Sequence, residues 1–165
     1  MAQMLQGLKV GMIALGCVKN RVDSEQMLGM LTAAGCIITD DPAKAEILIV
    51  NTCGFIAPAK EEAIDTILEM AEYKTNGRCR VLCATGCLTQ RYGEVLREEI
   101  PEIDVMLGVN QYDKLIASLE EALDGHPVTH TDTNKHFLEC GRVLTTPPYS
   151  AYIKTGDGCD NRCAY

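Results

Sequence analysis

The chain has 165 residues, 47% of them hydrophobic and 23% charged, a balance typical of a globular domain and not of a disordered or fibrous chain. Its net charge of −8 argues against a nucleic-acid-binding surface in this sequence, because such surfaces carry clustered lysine and arginine. No apolar run approaches the ~18 residues that a membrane-spanning helix requires, so we expect no membrane partner.

The sequence contains nine cysteines, which bear on the cellular compartment and on ligand binding. Their number is odd, their spacing is wide, and no secretory signal peptide precedes them. Disulfide scaffolds belong to oxidising compartments, so the pattern favours a reduced cytoplasmic protein whose cysteines serve as ligands.

Apolar strands alternate with helices along the first 125 residues. Apolar runs predict strands at 8–15, 36–39, 46–51, 80–84 and 104–107. Residues at helical spacing predict helices at about 23–35, 58–73, 89–100 and 113–123. This alternation predicts an α/β fold, an open parallel sheet of about four to five strands with flanking helices, of the Rossmann or flavodoxin type.

Side-chain chemistry predicts two details of these helices. Asp23 and Ser24 favour the N-cap position, so the first helix is predicted to begin there. In the second helix, the apolar residues at helical spacing are predicted to form the inner face: Ile64, Ile67, Leu68 and Ala71.

The pattern weakens after residue 125. Residues 126–148 are polar and hold three imidazoles and a thiol, which are acceptable zinc ligands: His126, His130, His136 and Cys140. Their spacing fits no zinc-finger pattern, so a linker or hairpin is the favoured interpretation. A predicted strand at 149–154 opens a further region, which divides the chain into 1–125, 126–148 and 149–165.

Three cysteines come directly after predicted strands, and each has a glycine beside it: Cys17, Cys53 and Cys87. In an open parallel sheet such loops lie at one edge, where these folds bind ligands. Helix N-termini at that edge favour thiolates and cluster sulfides. The pattern therefore predicts a 4Fe–4S site with three protein thiolates and one iron open to substrate. The alternative is that all three are small buried apolar residues.

The other cysteines receive different interpretations. Cys36 and Cys83 fall within strands and are predicted to pack. Cys79 lies too far from Cys87 along an extended segment to share its ligand set, and Cys140 is treated as incidental. Cys159 and Cys163 have the spacing of the first two ligands in the C-x-x-x-C-x-x-C loop of radical S-adenosylmethionine enzymes, without the third.

Four segments together resemble the methylthiotransferases of the radical S-adenosylmethionine superfamily: LGCVKNRVDSE at 15–25, VNTCGFI at 50–56, TGCL at 85–88 and GCDNRC at 158–163. The resemblance runs over nearly the whole chain. It implies an N-terminal methylthiotransferase domain followed by the opening strand of a truncated radical-SAM barrel, a piece that would be inactive alone. No catalytic residue is assigned beyond the cluster ligands.

Carried over by position, the resemblance implies ligands for two 4Fe–4S clusters. Cys17, Cys53 and Cys87 would hold the auxiliary cluster, and Cys159 and Cys163 would hold part of the cluster that binds S-adenosylmethionine. Because the third cysteine of that second motif is absent, the two-thiolate site should bind its cluster poorly.

Within the family, the segments at 15–25 and 50–56 are similar to the branch that methylthiolates the β-carbon of an aspartate in a small-subunit ribosomal protein. Val18 departs from the proline expected there. The resemblance implies that ribosomal protein as substrate and an electron donor as partner. The alternatives are a methylthiotransferase for adenosines of transfer RNA, a non-catalytic iron–sulfur carrier, and a docking domain with unligated thiols.

Three polar residues lie beside the proposed auxiliary cluster: Lys19, Asn20 and Asn51. They could hydrogen-bond its sulfides or the substrate. Helix capping and turn formation explain the two asparagines equally well.

Overall fold

The computed structural model describes residues 4–132, 140–156 and 160–164. Six strands form one sheet: β1 (Lys9–Ala14), β2 (Ile37–Ile38), β3 (Ile47–Thr52), β4 (Val81–Gly86), β5 (Val105–Leu107) and β6 (Val128–His130). Their order across the sheet is β2-β1-β3-β4-β5-β6, and every neighbouring pair is parallel. The predicted α/β class is confirmed.

Four α-helices connect or flank these strands: α1 (Val18–Ala33), α2 (Ala57–Asn76), α3 (Cys87–Glu99) and α4 (Leu115–Leu123). Short 3-10 turns occupy Pro42–Lys44 and Tyr112–Lys114. None of the helices in the described ranges is both long and apolar enough to cross a bilayer.

The sheet is buried on both faces, with one hydrophobic cluster on each. In β3, Ile47 and Ile49 belong to the cluster that includes residues of α1 and α4. Leu48 and Val50 belong to the opposite cluster, with residues of α2 and α3. Because successive side chains of a strand point to opposite faces, a continuous apolar run such as 47–50 is what a strand covered on both sides requires.

The beginning of α1 differs from the prediction. The helix begins at Val18 with Cys17 as its N-cap, and no side chain caps it. Asp23 and Ser24 therefore lie inside the helix and are buried. Their polar atoms serve tertiary contacts, since the Asn51 side-chain amide donates to the Ser24 hydroxyl over 3.0 Å. The predicted cap was wrong because side chains that favour caps also suit buried hydrogen-bond networks.

The strand count differs because β6 lies in the segment predicted as a linker. Val128 pairs with Val105 of β5, and of the three β6 residues only Val128 is buried. A three-residue edge strand with one buried side chain gives almost no sequence pattern.

Residues 149–154, predicted as a strand, form none in the structure. A strand requires hydrogen bonds to a neighbouring strand. The described residues 140–156 instead contact α1, where the Val143 amide donates to the Glu25 carbonyl over 3.0 Å.

Neighbouring residues of α2 provide a test of the observed packing. The inner face of α2 was predicted to include Leu68, but this side chain is 46% exposed, whereas Ile67 is fully buried. We expect Ile67→Ala to lower the free energy of unfolding by ~2–5 kcal/mol. Leu68→Ala should cost less than ~1 kcal/mol. Urea denaturation measures both, and equal losses would contradict the observed helix orientation.

Candidate functional site

The strand order reverses between β1 and β3, because β2 lies on one side of this pair and all later strands lie on the other. At such a reversal the following helices diverge and leave a crevice at the carboxyl ends of the strands. Cys17 follows β1, Cys53 follows β3, and Cys87 begins α3 immediately after β4. The three sequence-predicted cysteines thus share one edge of the sheet.

Two glycines bring the loops of these cysteines into contact. Gly16 has a φ of +87°, and a Cβ atom there would lie 2.6 Å from the Cys53 Cβ and 3.0 Å from its Sγ. A Cβ atom on Gly54 would lie 2.9 Å from the Cα of Leu88, in the first turn of α3. The loop of Cys53 therefore packs against the Cys17 loop on one side and against the Cys87 turn on the other.

A third glycine joins the ends of β3 and β4. Gly86 has a φ of +101°, and a Cβ atom there would lie 2.5 Å from the Thr52 carbonyl oxygen. The Thr52 hydroxyl donates to the Thr85 carbonyl over 2.6 Å. Only glycine satisfies both the left-handed backbone and the close approach at position 86.

The two asparagines proposed beside the cluster hold backbone atoms. The Asn20 side chain donates to the carbonyls of Leu15 over 3.0 Å and Thr52 over 2.9 Å, which links the ends of β1 and β3. The Asn51 side chain donates to the Asn20 carbonyl over 2.8 Å. These contacts favour the structural interpretation of both residues.

The Cys87 thiol has a perturbed pKa. Burial is the main cause that raises the pKa of Cys87, and the nearby sulfur atoms of Cys53 and Cys17 raise it further, while Arg91 lowers it. Charge interactions of this kind act over short distances. Cys17 is exposed, and Cys53 and Cys87 are half-buried, so the group is reachable from solvent.

A cavity of about 300 Å³ opens beside two of these cysteines. It is lined by Cys17, Lys19, Asn20, Asp23, Cys87, Val109, Asn110 and Lys154. A second cavity of about 240 Å³ is lined by Cys87, Phe55, Gln90, Arg91 and Val109. The Cys87 side chain therefore borders two openings.

Sequence reasoning missed a buried ion pair in the larger cavity. The Lys154 ammonium lies 2.8 Å from Asp23 Oδ1, and the two side chains are only 6% and 5% exposed. The Tyr112 hydroxyl donates to Asp23 Oδ2 over 3.0 Å. Asp23 had been assigned to a helix cap, and no local pattern in the sequence joins residues 131 positions apart.

The donor set at this edge consists of three thiols, which are the ligands that iron–sulfur clusters take. Within the described residues, no three His, Cys, Asp or Glu side chains are placed to share one ion. This also gives no support to a zinc site at His126, His130 and Cys140; His136 lies outside the described residues. Thiolates are the soft ligands that an iron–sulfur cluster takes, and three cysteine loops in contact at one sheet edge fit that chemistry.

The remaining cysteines have separate locations. Cys36, Cys79 and Cys83 are buried, which confirms packing for Cys36 and Cys83. Burial raises the pKa of Cys79 to about 11, far from thiolate chemistry at neutral pH. Cys140 is half-buried against α1, and Cys163 is exposed. Cys159 lies outside the described residues, so the role of the Cys159–Cys163 pair stays a prediction.

Comparison with known proteins adds independent information. Residues 9–108 match the model of a family described as Uncharacterized protein family UPF0004. The chain is 52% identical over 160 residues to a protein of Clostridium tetani (strain Massachusetts / E88) named ribosomal protein uS12 methylthiotransferase RimO. That match covers 96% of this chain and 36% of the relative.

Proteins of the same name in two other clostridia give similar matches. The identity is 52% over 162 residues in Clostridium botulinum (strain Eklund 17B / Type B), covering 95% of this chain. It is 51% over 163 residues in Clostridium kluyveri, covering 96% of this chain. The chain spans 36% of the length of each relative.

A matched glycine pair tests the contact between the Cys17 and Cys53 loops. Gly125 has a φ of +89° but no atom within 4 Å of a Cβ there, whereas a Cβ on Gly16 meets Cys53. Both alanine variants face the left-handed backbone penalty of ~1–2 kcal/mol. Only Gly16→Ala adds a steric clash. Its free energy of unfolding, measured by urea denaturation, should therefore fall clearly more than that of Gly125→Ala. Equal losses would contradict the close packing of these loops.

Proposed function

The chain belongs to Uncharacterized protein family UPF0004, and on that basis we propose that it is the N-terminal part of a methylthiotransferase acting on a ribosomal protein. The observation that carries the proposal is the meeting of three cysteine loops at the point where the strand order reverses. In this proposal Cys17, Cys53 and Cys87 ligate an auxiliary 4Fe–4S cluster. When bound, the cluster would supply sulfide and one iron without a protein ligand.

Two of the three cysteines lie at helix N-termini, although burial raises the pKa of Cys87. Cys17 is the N-cap of α1 and Cys87 is the first residue of α3, so the unpaired N–H groups of two helix ends lie close to their sulfur atoms. The partial positive charge at a helix N-terminus favours a thiolate over a thiol. Arg91 adds a positive charge that acts on Cys87.

The second part of the proposal concerns Cys159 and Cys163. We assign them as two ligands of the cluster that binds S-adenosylmethionine, which receives its electron from a separate donor. Cys163 is exposed and follows the segment that contacts α1, so its loop is accessible to a further ligand. A complete site of this kind requires a third thiolate.

The substrate proposal is the ribosomal protein uS12 that the clostridial relatives' name specifies. The net charge of −8 suits a basic protein partner better than an RNA surface, because opposite charges steer association. A cytoplasmic location follows from this substrate and agrees with the free thiols at all eight described cysteines.

Anaerobic reconstitution with iron and sulfide tests the ligand assignment. We expect Cys17→Ala, Cys53→Ala and Cys87→Ala each to lose most bound iron and the visible absorbance of the cluster, because each removes one of three thiolates. Cys79→Ala and Cys140→Ala should bind iron like the parent chain.

Circular dichroism of each variant separates loss of a ligand from loss of fold. Equal iron binding in all five variants would refute the assignment.

Activity of the full-length protein tests the substrate. With S-adenosylmethionine, sulfide and a reductant, we expect uS12 to gain the mass of a methylthio group in place of one hydrogen atom. Peptide mass spectrometry should place it on an aspartate. Modification of adenosines in transfer RNA, with uS12 unchanged, would instead establish the sister reaction. A protein with Cys17→Ala is the negative control for both substrates.

A further inference from the structure

Residues 140–156, here called the strap, run across α1 and are held there by a buried carboxylate. The Glu25 side chain is fully buried, and its Oε1 accepts hydrogen bonds from the Thr145 amide over 2.8 Å and the Thr145 hydroxyl over 2.9 Å. The Arg142 Nε lies 3.7 Å from Glu25 Oε2. Burying a carboxylate is costly without such partners, so these contacts attach this end of the strap to α1.

A glycine in α1 allows the strap to cross the helix. A Cβ atom on Gly29 would lie 2.1 Å from the Gly141 carbonyl oxygen. Glycine weakens a helix interior, so its presence here serves the close approach of the strap and not the stability of α1.

The other end of the strap is attached by Lys154. Its ammonium pairs with Asp23 Oδ1 over 2.8 Å, and both side chains are almost fully buried. Both residues line the cavity that Cys17 and Cys87 also line. The Tyr152 ring lies 6.0 Å from the Arg21 guanidinium, an exposed contact that contributes little, and the Tyr152 carbonyl accepts a hydrogen bond from Arg142 over 2.7 Å.

The attachment of Lys154 sets an upper limit on the distance between Cys163 and this end of the strap. Cys163 follows Lys154 by nine residues (163 − 154), which limits its distance from the attached Lys154 to about 30 Å for a fully extended chain. The contacts of Thr145 with Glu25 lie 18 residues before Cys163 (163 − 145), and taken alone they would limit that distance to about 60 Å.

We propose that Lys154 is a positioning residue, whose ion pair with Asp23 holds the strap on α1 and so limits how far Cys163 can lie from the Cys17–Cys53–Cys87 site. The importance of this ion pair for catalysis rests on the proposed function. In that function a radical formed at the cluster of Cys159 and Cys163 must reach a substrate held at the Cys17–Cys53–Cys87 site. The attachment itself depends only on protein contacts.

Two measurements on the iron-free chain test the attachment. One is the rate of chymotrypsin cleavage after Tyr152, which lies in the strap and is 40% exposed. The other is the rate of alkylation of Cys87, which lies in the cavity that Lys154 borders. The rate of proteolysis follows the population of molecules in which the strap has detached from α1. Because Lys154→Met removes one partner of a buried ion pair, it should raise the rate of cleavage after Tyr152 about a hundredfold.

Three further variants complete the experiment. Lys154→Arg should restore most of the protection, since it keeps the charge, and Asp23→Asn should release the strap while retaining an acceptor for Tyr112. Lys44→Met removes an exposed pair with Asp41 and should behave like the parent chain.

Faster cleavage after Tyr152 and faster Cys87 alkylation in both Lys154→Met and Asp23→Asn, with rescue in Lys154→Arg, would support the positioning role. If Lys154→Met and Asp23→Asn both matched Lys44→Met in the two rates, the proposal would be overturned. Because no iron is present, a failure here is distinct from a failure of the cluster assignment, which the cysteine variants measure.

Discussion

The candidate site depends on the close approach of three strand ends, which glycine alone allows. At positions 16, 54 and 86 a methyl group would fall within 3 Å of a neighbouring loop. These contacts join β1 to β3 and β3 to β4 at the edge where the strand order reverses. The hydrogen bonds of Asn20 and Thr52 then fix the spacing that the glycines permit. Without this packing, three cysteines distant in sequence would have no reason to share one location.

Helix α1 contributes both to the cysteine site and to the attachment of the strap. Its N-terminus lies at Cys17, and its polar residues Asn20, Asp23, Ser24 and Glu25 are all buried. Buried polar residues normally destabilise a helix unless their polar atoms have partners. Here Asn20 and Ser24 bond to the edge of the sheet, and Asp23 and Glu25 bond to the strap. The position of the strap and the position of the Cys17 thiol are therefore set by the same rigid element.

The strands, the helices and the position of the three cysteines could be predicted from sequence because their signals are local. Apolar runs such as 47–50 and glycines beside cysteines are visible in a few consecutive residues. What could not be predicted depends on distant partners: the Lys154–Asp23 pair, the crossing at Gly29, and the pairing of β6 with β5. Asp23 shows the reason, since the same side chain that suits a helix cap in isolation binds Tyr112 and Lys154 in the fold.

The Asn20 bridge between Leu15 and Thr52 has a consequence for maturation of the protein. The strand ends are joined by amide and carbonyl groups and not by the proposed metal ligands, so their packing does not require a bound metal. Small zinc domains behave differently, because their folding free energy comes from the metal itself. If the proposed cluster binds here, a chain built this way would stay folded after losing an oxidised cluster, so replacing the cluster would not require refolding.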